Sequence, residues 1–251
     1  MGSILAIINQ KGGVGKSTTA QAVGAGLLLR GFTVLMVDLD PQGNLSYSMG
    51  ASQSGYNAMG ILERPETAQE EIQHTPNGDI IASSPNLALA DRTLESTGKE
   101  YRLKEALSGL QSVYDYIVVD TPPALGVLTV NALTACTGVI IPAQADVYSL
   151  HGIIQLGATI DAVKKYCNPA LEILGIVITE YNGRAIISRQ TANQMEQTAE
   201  QLHTKVFETK IRSCISIKEA QTVQQSIYRY APRSNATADY KALVEEIIKG
   251  E

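Results

Sequence analysis

The stretch Ile4-Leu5-Ala6-Ile7-Ile8-Asn9-Gln10-Lys11-Gly12-Gly13-Val14-Gly15-Lys16-Ser17-Thr18 decides how the rest of the chain is read. Its first five residues are apolar without a break, the pattern of a strand buried on both faces rather than on one. Three glycines follow, which let the backbone turn sharply and approach a ligand closely. From Lys16 to Arg30 the spacing changes: Ala20, Val23 and Leu27 recur at helical intervals, and Gly31 stands where a helix stops. A strand feeding a helix through a glycine turn, with a second apolar run at Val34 to Val37, is a βαβ unit.

Further apolar runs continue the alternation: Ile80 to Ala82, Tyr116 to Val119, Gly138 to Ile141 and Leu171 to Thr179. Helical patterns lie at Leu103 to Leu110, Leu128 to Thr134, Leu150 to Tyr166, Arg189 to Leu202 and Ala238 to Ile248. The expected fold is α/β, a doubly wound and mostly parallel sheet with helices on both faces. No repeat or linker-like tract interrupts residues 1–251, so a single domain is expected. The least regular segment, Ser46 to Asn77, is polar and glycine-containing; it reads as short helices over the site rather than a central strand.

A triphosphate needs inward-pointing backbone N–H groups, glycines that allow close approach, and a cation. Gly12, Gly13, Val14, Gly15, Lys16, Ser17 and Thr18 supply these: Lys16 reaches the β- and γ-phosphates, and the Ser17 hydroxyl ligates Mg²⁺. A chance glycine-rich loop explains two glycines, but not this octet between a strand and a helix. Two acidic strand ends accompany it. Asp38 and Asp40, in Val37-Asp38-Leu39-Asp40-Pro41, share a face if the strand continues, and both can then meet the metal and the γ-phosphate. Asp120 closes Tyr116-Ile117-Val118-Val119-Asp120, an apolar run with the terminal carboxylate of a Walker B element, placed to hold Mg²⁺ through water.

The ordinary P-loop carries a glycine where this chain has Gln10, and a second lysine, Lys11, heads the glycines. The octet Lys11-Gly12-Gly13-Val14-Gly15-Lys16-Ser17-Thr18 closely resembles the deviant Walker A motif of the partition and septum-site ATPases, the family of ParA, Soj, MinD and nitrogenase iron protein. The resemblance implies ATP and Mg²⁺ as ligands and an ATP-sandwich homodimer to which Lys11 is contributed across the interface. It further implies that Asp40 positions or activates the attacking water, that Asp38 lies near the metal, and that Asn182, in Thr179-Glu180-Tyr181-Asn182-Gly183-Arg184, contacts adenine. Pro142 to Gly152 and Ala231 to Tyr240, with Asn235 where a glycine is usual, resemble Soj-like partition proteins. That branch implies nonspecific DNA binding by the ATP dimer and a centromere-binding ParB-type partner that stimulates hydrolysis. Arg189 matches one DNA-contacting position; at the other, Ser216 stands where the family has arginine, and Lys218 is the substitute expected.

The bulk numbers agree. With 44% hydrophobic residues the 251-residue chain can bury a large core. No apolar run nears the ~20 residues that span a bilayer, and no secretory signal opens the sequence, so a cytoplasmic protein without stable membrane insertion is expected, nucleoid-associated when ATP is bound. Cys136, Cys167 and Cys214 are too widely spaced for a metal or redox motif and read as buried thiols. Net charge is −5, but the segment from Glu180 to Arg233 carries +3 and the remainder −8. A MinD-like membrane ATPase would need a basic amphipathic C-terminal helix, and the last segment here is acidic. A nucleotide-clamped assembly protein with incidental hydrolysis is the other alternative. The first strand begins at Ile4, so no preceding DNA-reading segment is expected.

Overall fold

The computed structural model describes residues 2–95, 97–183 and 186–250, the side chains of residues 147, 186–190 and 192 excepted. Seven strands form one sheet: β1 (Ser3–Ile7), β2 (Val34–Asp38), β3 (Gln73–Thr75), β4 (Gly78–Ile81), β5 (Tyr116–Asp120), β6 (Gly138–Gln144) and β7 (Glu172–Thr179). Their spatial order is β3-β4-β2-β5-β1-β6-β7, all parallel except the antiparallel edge pair β3 and β4. The helices are α1 (Lys16–Leu29), α2 (Asn44–Met49), α3 (Ala58–Glu63), α4 (Ala90–Thr93), α5 (Arg102–Ser108), α6 (Val127–Ala135), α7 (Val147–Tyr166), α8 (Ile186–Gln201), α9 (Ile215–Thr222), α10 (Ile227–Tyr230) and α11 (Asn235–Gly250). This is the doubly wound α/β fold expected from the alternating pattern.

The unbroken apolar run of β1 has its physical reason in the two cores. Ile4, Ala6 and Ile8 point into one, shared with α5, α6 and α7, while Leu5 and Ile7 point into the other, shared with α1 and α11. Each side chain of that size contributes about 1.5–3 kcal/mol when fully buried, so no face of β1 can be polar. The second core explains the C-terminal helix. Ala236, Tyr240, Leu243, Val244 and Ile247 of α11 are buried, and a Cβ added to Gly26 of α1 would lie 2.6 Å from the Tyr228 hydroxyl and 2.7 Å from Val244. The apolar face of α11 is thus occupied by the body of the protein. No helix among the described residues is long and apolar enough to cross a membrane.

Two differences from the sequence reading stand out. The irregular segment holds α2 and α3 as expected, but also β3, a three-residue polar strand visible only through its pairing with β4. All three cysteines are free, yet only Cys136 is buried; Cys167 and Cys214 are partly exposed because both sit at helix boundaries.

A phosphate cradle at the carboxyl ends of the strands

Parallel strands place their C-terminal ends together, and here that edge gathers Ile7, Asp38, Asp120, Gln144 and Thr179. β1 lies between β5 and β6, so the loop after β1 emerges where the winding reverses, the position at which open α/β sheets bind ligands. The loop runs from Ile8 to Gly15 and enters α1 directly. Gly13 and Gly15 adopt φ of +76° and +86°, values that explain glycine at these two positions; Gly12 does not need positive φ, and a Cβ on Gly12 or Gly13 would meet nothing within 4 Å. Gly15 is the N-cap of α1 and no side chain caps the helix, so its first N–H groups are left for an anion.

The loop is tied down from behind. Thr179 Oγ1 donates to the Val14 carbonyl at 2.8 Å, and Gln144 Nε2 donates to the Gly13 carbonyl at 3.2 Å and to Glu180 at 2.9 Å. In front lies a cavity of about 700 Å³ lined by Gly12, Gly13, Gly15, Lys16, Ser17, Thr18, Asp40, Glu180 and residues of α2 and α9. Lys16 is buried, with its ammonium donating to the Lys11 carbonyl at 3.2 Å. Desolvation lowers its pKa, and the charges of Asp120 and Asp40 work against that fall.

The three carboxylates have separate environments. Asp38 and Asp120 are direct register partners on β2 and β5, both fully buried. Asp38 accepts from Ser46 N at 2.8 Å, Ser46 Oγ at 2.7 Å and Asp40 N at 3.1 Å. Burial still raises its pKa to about 6, those hydrogen bonds pulling the other way. Among the described residues neither oxygen of Asp120 has a hydrogen-bond partner. Burial drives its pKa well above the ordinary carboxylate range, with Asp38 and Asp40 adding to the rise and Ser17 and Lys16 opposing it. A buried pair of carboxylates in which the Asp120 oxygens are open, beside a hydroxyl and beneath a phosphate cradle, fits a divalent cation, whose charge would favour the ionised form. The donor set Ser17 and Asp120 thus suits Mg²⁺ held with water and phosphate oxygens.

Strand β2 ends at Asp38, so Asp40 is placed by a turn and not by strand alternation. Its Oδ1 accepts the Gln42 amide at 3.0 Å and its carbonyl accepts from Ser83 Oγ at 2.5 Å. Ser83 N donates in turn to Ser46 Oγ, which links Asp40 to Asp38 through two serines that the sequence reading did not single out. Asp38 is therefore engaged in holding this turn, while Asp40 lines the cavity.

Lys11 does not line its own phosphate cavity. Its ammonium turns to the start of α7, where it pairs with Asp146 at 2.5 Å, Gln144 Oε1 at 3.0 Å and Ser149 Oγ at 3.4 Å. Burial favours protonation of Asp146, but the hydrogen bond from Lys11, the Ser149 amide and the Lys11 charge outweigh it and hold the pKa below the usual value. Exposed apolar side chains lie on the neighbouring segments, among them Leu125, Ile154 and Tyr148, the last 81% exposed.

The remaining sequence candidates are placed differently from one another. Asn182 is exposed in the turn beyond β7 and lines neither the main cavity nor the smaller one beside it. Arg189 lies within α8, but its side chain is outside the described residues. Lys218, expected to contact DNA, is exposed and also lines the phosphate cavity, because α9 packs against the start of α1. Among the described residues, no cluster of three or more His, Cys, Asp or Glu side chains suits a metal.

A glycine cradle at a helix N-terminus, a buried lysine and an unpartnered carboxylate at adjacent strand ends define a P-loop nucleotide-binding protein of the deviant Walker A type. The family model described as an AAA domain matches residues 2–173. The chain is 38% identical to the sporulation initiation inhibitor protein Soj of Bacillus subtilis (strain 168), covering 98% of each chain, and 37% identical to the chromosome-partitioning ATPase Soj of Thermus thermophilus, covering 97% of this chain and 94% of that protein. A solved structure of cobyrinic acid a,c-diamide synthase from Mycobacterium smegmatis, with bound ATP analogue and magnesium, superposes with a TM-score of 0.84 at 32% identity, over 99% of this chain and 95% of that one. The chain belongs to the ParA/Soj family of partition ATPases.

Proposed function

We propose that this chain is an ATP-dependent DNA partition ATPase that cycles between a monomer and an ATP-sandwich homodimer. ATP and Mg²⁺ occupy the P-loop cavity, the dimer binds DNA without sequence preference, and a centromere-binding ParB-type partner stimulates hydrolysis and release. The observation that carries this reading is Lys11, a lysine at the head of the phosphate loop whose ammonium lies outside its own cavity, paired with Asp146 at the start of α7. A cation so placed suits the phosphates of a second copy.

The geometry supports a division of labour among these residues. The loop amides and Lys16 bind and orient the phosphates, in a site where positioning and charge account for nearly all of the catalysis. Ser17 and Asp120 would hold Mg²⁺, which would supply positive charge against the phosphates. Asp40, with Oδ1 held by the Gln42 amide, keeps Oδ2 to orient a water toward the γ-phosphate. Lys11 from the partner copy completes the positive shell, which makes hydrolysis depend on assembly. DNA binding by phosphate contacts, including Arg189, is strongly salt-dependent and confines the ATP form to the nucleoid within the cytoplasm.

The deciding experiment measures ATP turnover alone, with DNA, with a centromere-binding partner, and with both. A large increase only when both are present supports partition. Stimulation by anionic vesicles in place of DNA would reject it in favour of a membrane-positioning ATPase.

A further inference from the structure

Helix α9 is fastened over the phosphate loop by one hydrogen bond, Gln221 Nε2 to Thr18 Oγ1 at 2.8 Å. Lys218 lies three residues earlier on the same helix, hence on the same face as Gln221. That face looks into the main cavity, where Lys218 and Gln221 both line the wall. Lys218 also lines a second, smaller cavity, where Ile211, Cys214, Ile217 and the Tyr240 ring supply apolar surface and Arg212, Ser213 and Thr179 polar groups. Gly15, Thr18, Glu180 and Ile217 border both spaces as well, so the two cavities adjoin, the phosphate cradle in one and the greater share of apolar side chains in the other. Lys218 stands at the join.

Charge points the same way. The main cavity contains the carboxylates of Asp40 and Glu180, and the cations on its wall are Lys16 and Lys218. Lys11 is engaged by Asp146, whereas Lys218 belongs to none of the ion pairs among the described residues. A nucleoside di- or triphosphate brings several negative charges, and Lys218 adds to Lys16 the second cation that this chain's own wall offers them.

We infer that Lys218 is a nucleotide-binding residue, pairing with the α-phosphate or ribose end of ATP and ADP, and not part of the DNA-binding surface. This inference rests on the nucleotide-binding reading of the P-loop. A phosphate at the join between a polar and an apolar space is the one next to the nucleoside, which di- and triphosphates share. Lys218 therefore raises affinity for both nucleotides equally and does not read the γ-phosphate.

Titration calorimetry with ADP and with a non-hydrolysable ATP analogue tests it in the wild type, Lys218→Ala, Lys218→Arg and Lys16→Ala. Lys218→Ala should weaken both ligands by about tenfold, equal to about 1.4 kcal/mol, and Lys218→Arg should recover most of the loss. DNA affinity at saturating nucleotide should stay at the wild-type level. Unchanged nucleotide affinity in Lys218→Ala, while Lys16→Ala loses binding, would overturn the assignment of Lys218 alone. Loss confined to the triphosphate, or DNA binding lost with nucleotide affinity intact, would overturn it too. Wild-type affinity in Lys16→Ala would instead bring down the P-loop reading.

Discussion

Asp146→Asn should tighten the ATP-dependent dimer. In the monomer Lys11 is held by Asp146, Gln144 and Ser149 of its own chain, and these contacts must break before its ammonium can reach a partner's phosphates. The side chains of Lys11 and Asp146 are 28% and 35% exposed. Solvent screening therefore keeps the pair near the upper end of surface ion pairs, about 1 kcal/mol. A two-fold dimer breaks the pair twice, so the cost is about 2 kcal/mol, or about 30-fold in the dimer dissociation constant. Asparagine removes the charge but keeps an oxygen for the Ser149 amide, which caps α7, so the helix start is preserved. Sedimentation equilibrium with a non-hydrolysable ATP analogue reads the effect directly. A dimer no tighter than wild type, or a weaker one, would refute the idea that Asp146 restrains Lys11.

Two further outcomes follow from the buried carboxylates. Asp120→Asn should stabilise the nucleotide-free protein, since it removes a buried carboxyl whose ionisation is opposed by burial and by the neighbouring Asp38 and Asp40. It should also abolish the rise in melting temperature that Mg²⁺ with an ATP analogue gives the wild type; a mutant protected as well as the wild type would exclude Asp120 from the metal site. The second outcome concerns Asp38, whose folded pKa is raised by burial to about 6. The unfolded chain has an ordinary carboxylate near 3.9, so between these values the native state binds more protons. Its contribution to stability is then complete below about pH 4, declines as pH rises to about 6, and levels off above that. Urea unfolding at pH 4.5 and 6.5 should show a decline about 2 kcal/mol larger in wild type than in Asp38→Asn; identical declines would contradict the buried environment of Asp38.

What the sequence disclosed, and what it withheld, divides along the range of the interactions. Ile4 to Ile8 and Gly12 to Ser17 announce a doubly buried strand and an anion cradle because both depend on neighbours in sequence. The same locality makes Asp120 legible at the end of its apolar run. Alternation speaks for Asp40 only if the strand continues, and it does not: β2 ends at Asp38 and the turn is fixed by Ser46 and Ser83, the latter 43 residues from Asp40. The Lys11 restraint depends on Asp146, 135 positions away, and has no local signature. The place of Lys218 on the cavity wall has no local signature either. Ile215–Thr222 is a short helix without strong periodicity, and only its packing on Thr18 turns the lysine toward the nucleotide cavity. The polar strand Gln73–Thr75 owes its conformation to pairing with β4 and carries no apolar signal.

The most direct measurement compares wild type with Lys11→Ala by sedimentation velocity in ADP, in ATP and without nucleotide, at Mg²⁺ and nucleotide concentrations that saturate both proteins. The wild type should sediment as a dimer only with ATP, and Lys11→Ala should bind ATP yet remain a monomer throughout. A Lys11→Ala dimer equal to that of the wild type, or a wild type that stays monomeric at saturating ATP, would contradict the shared phosphate site.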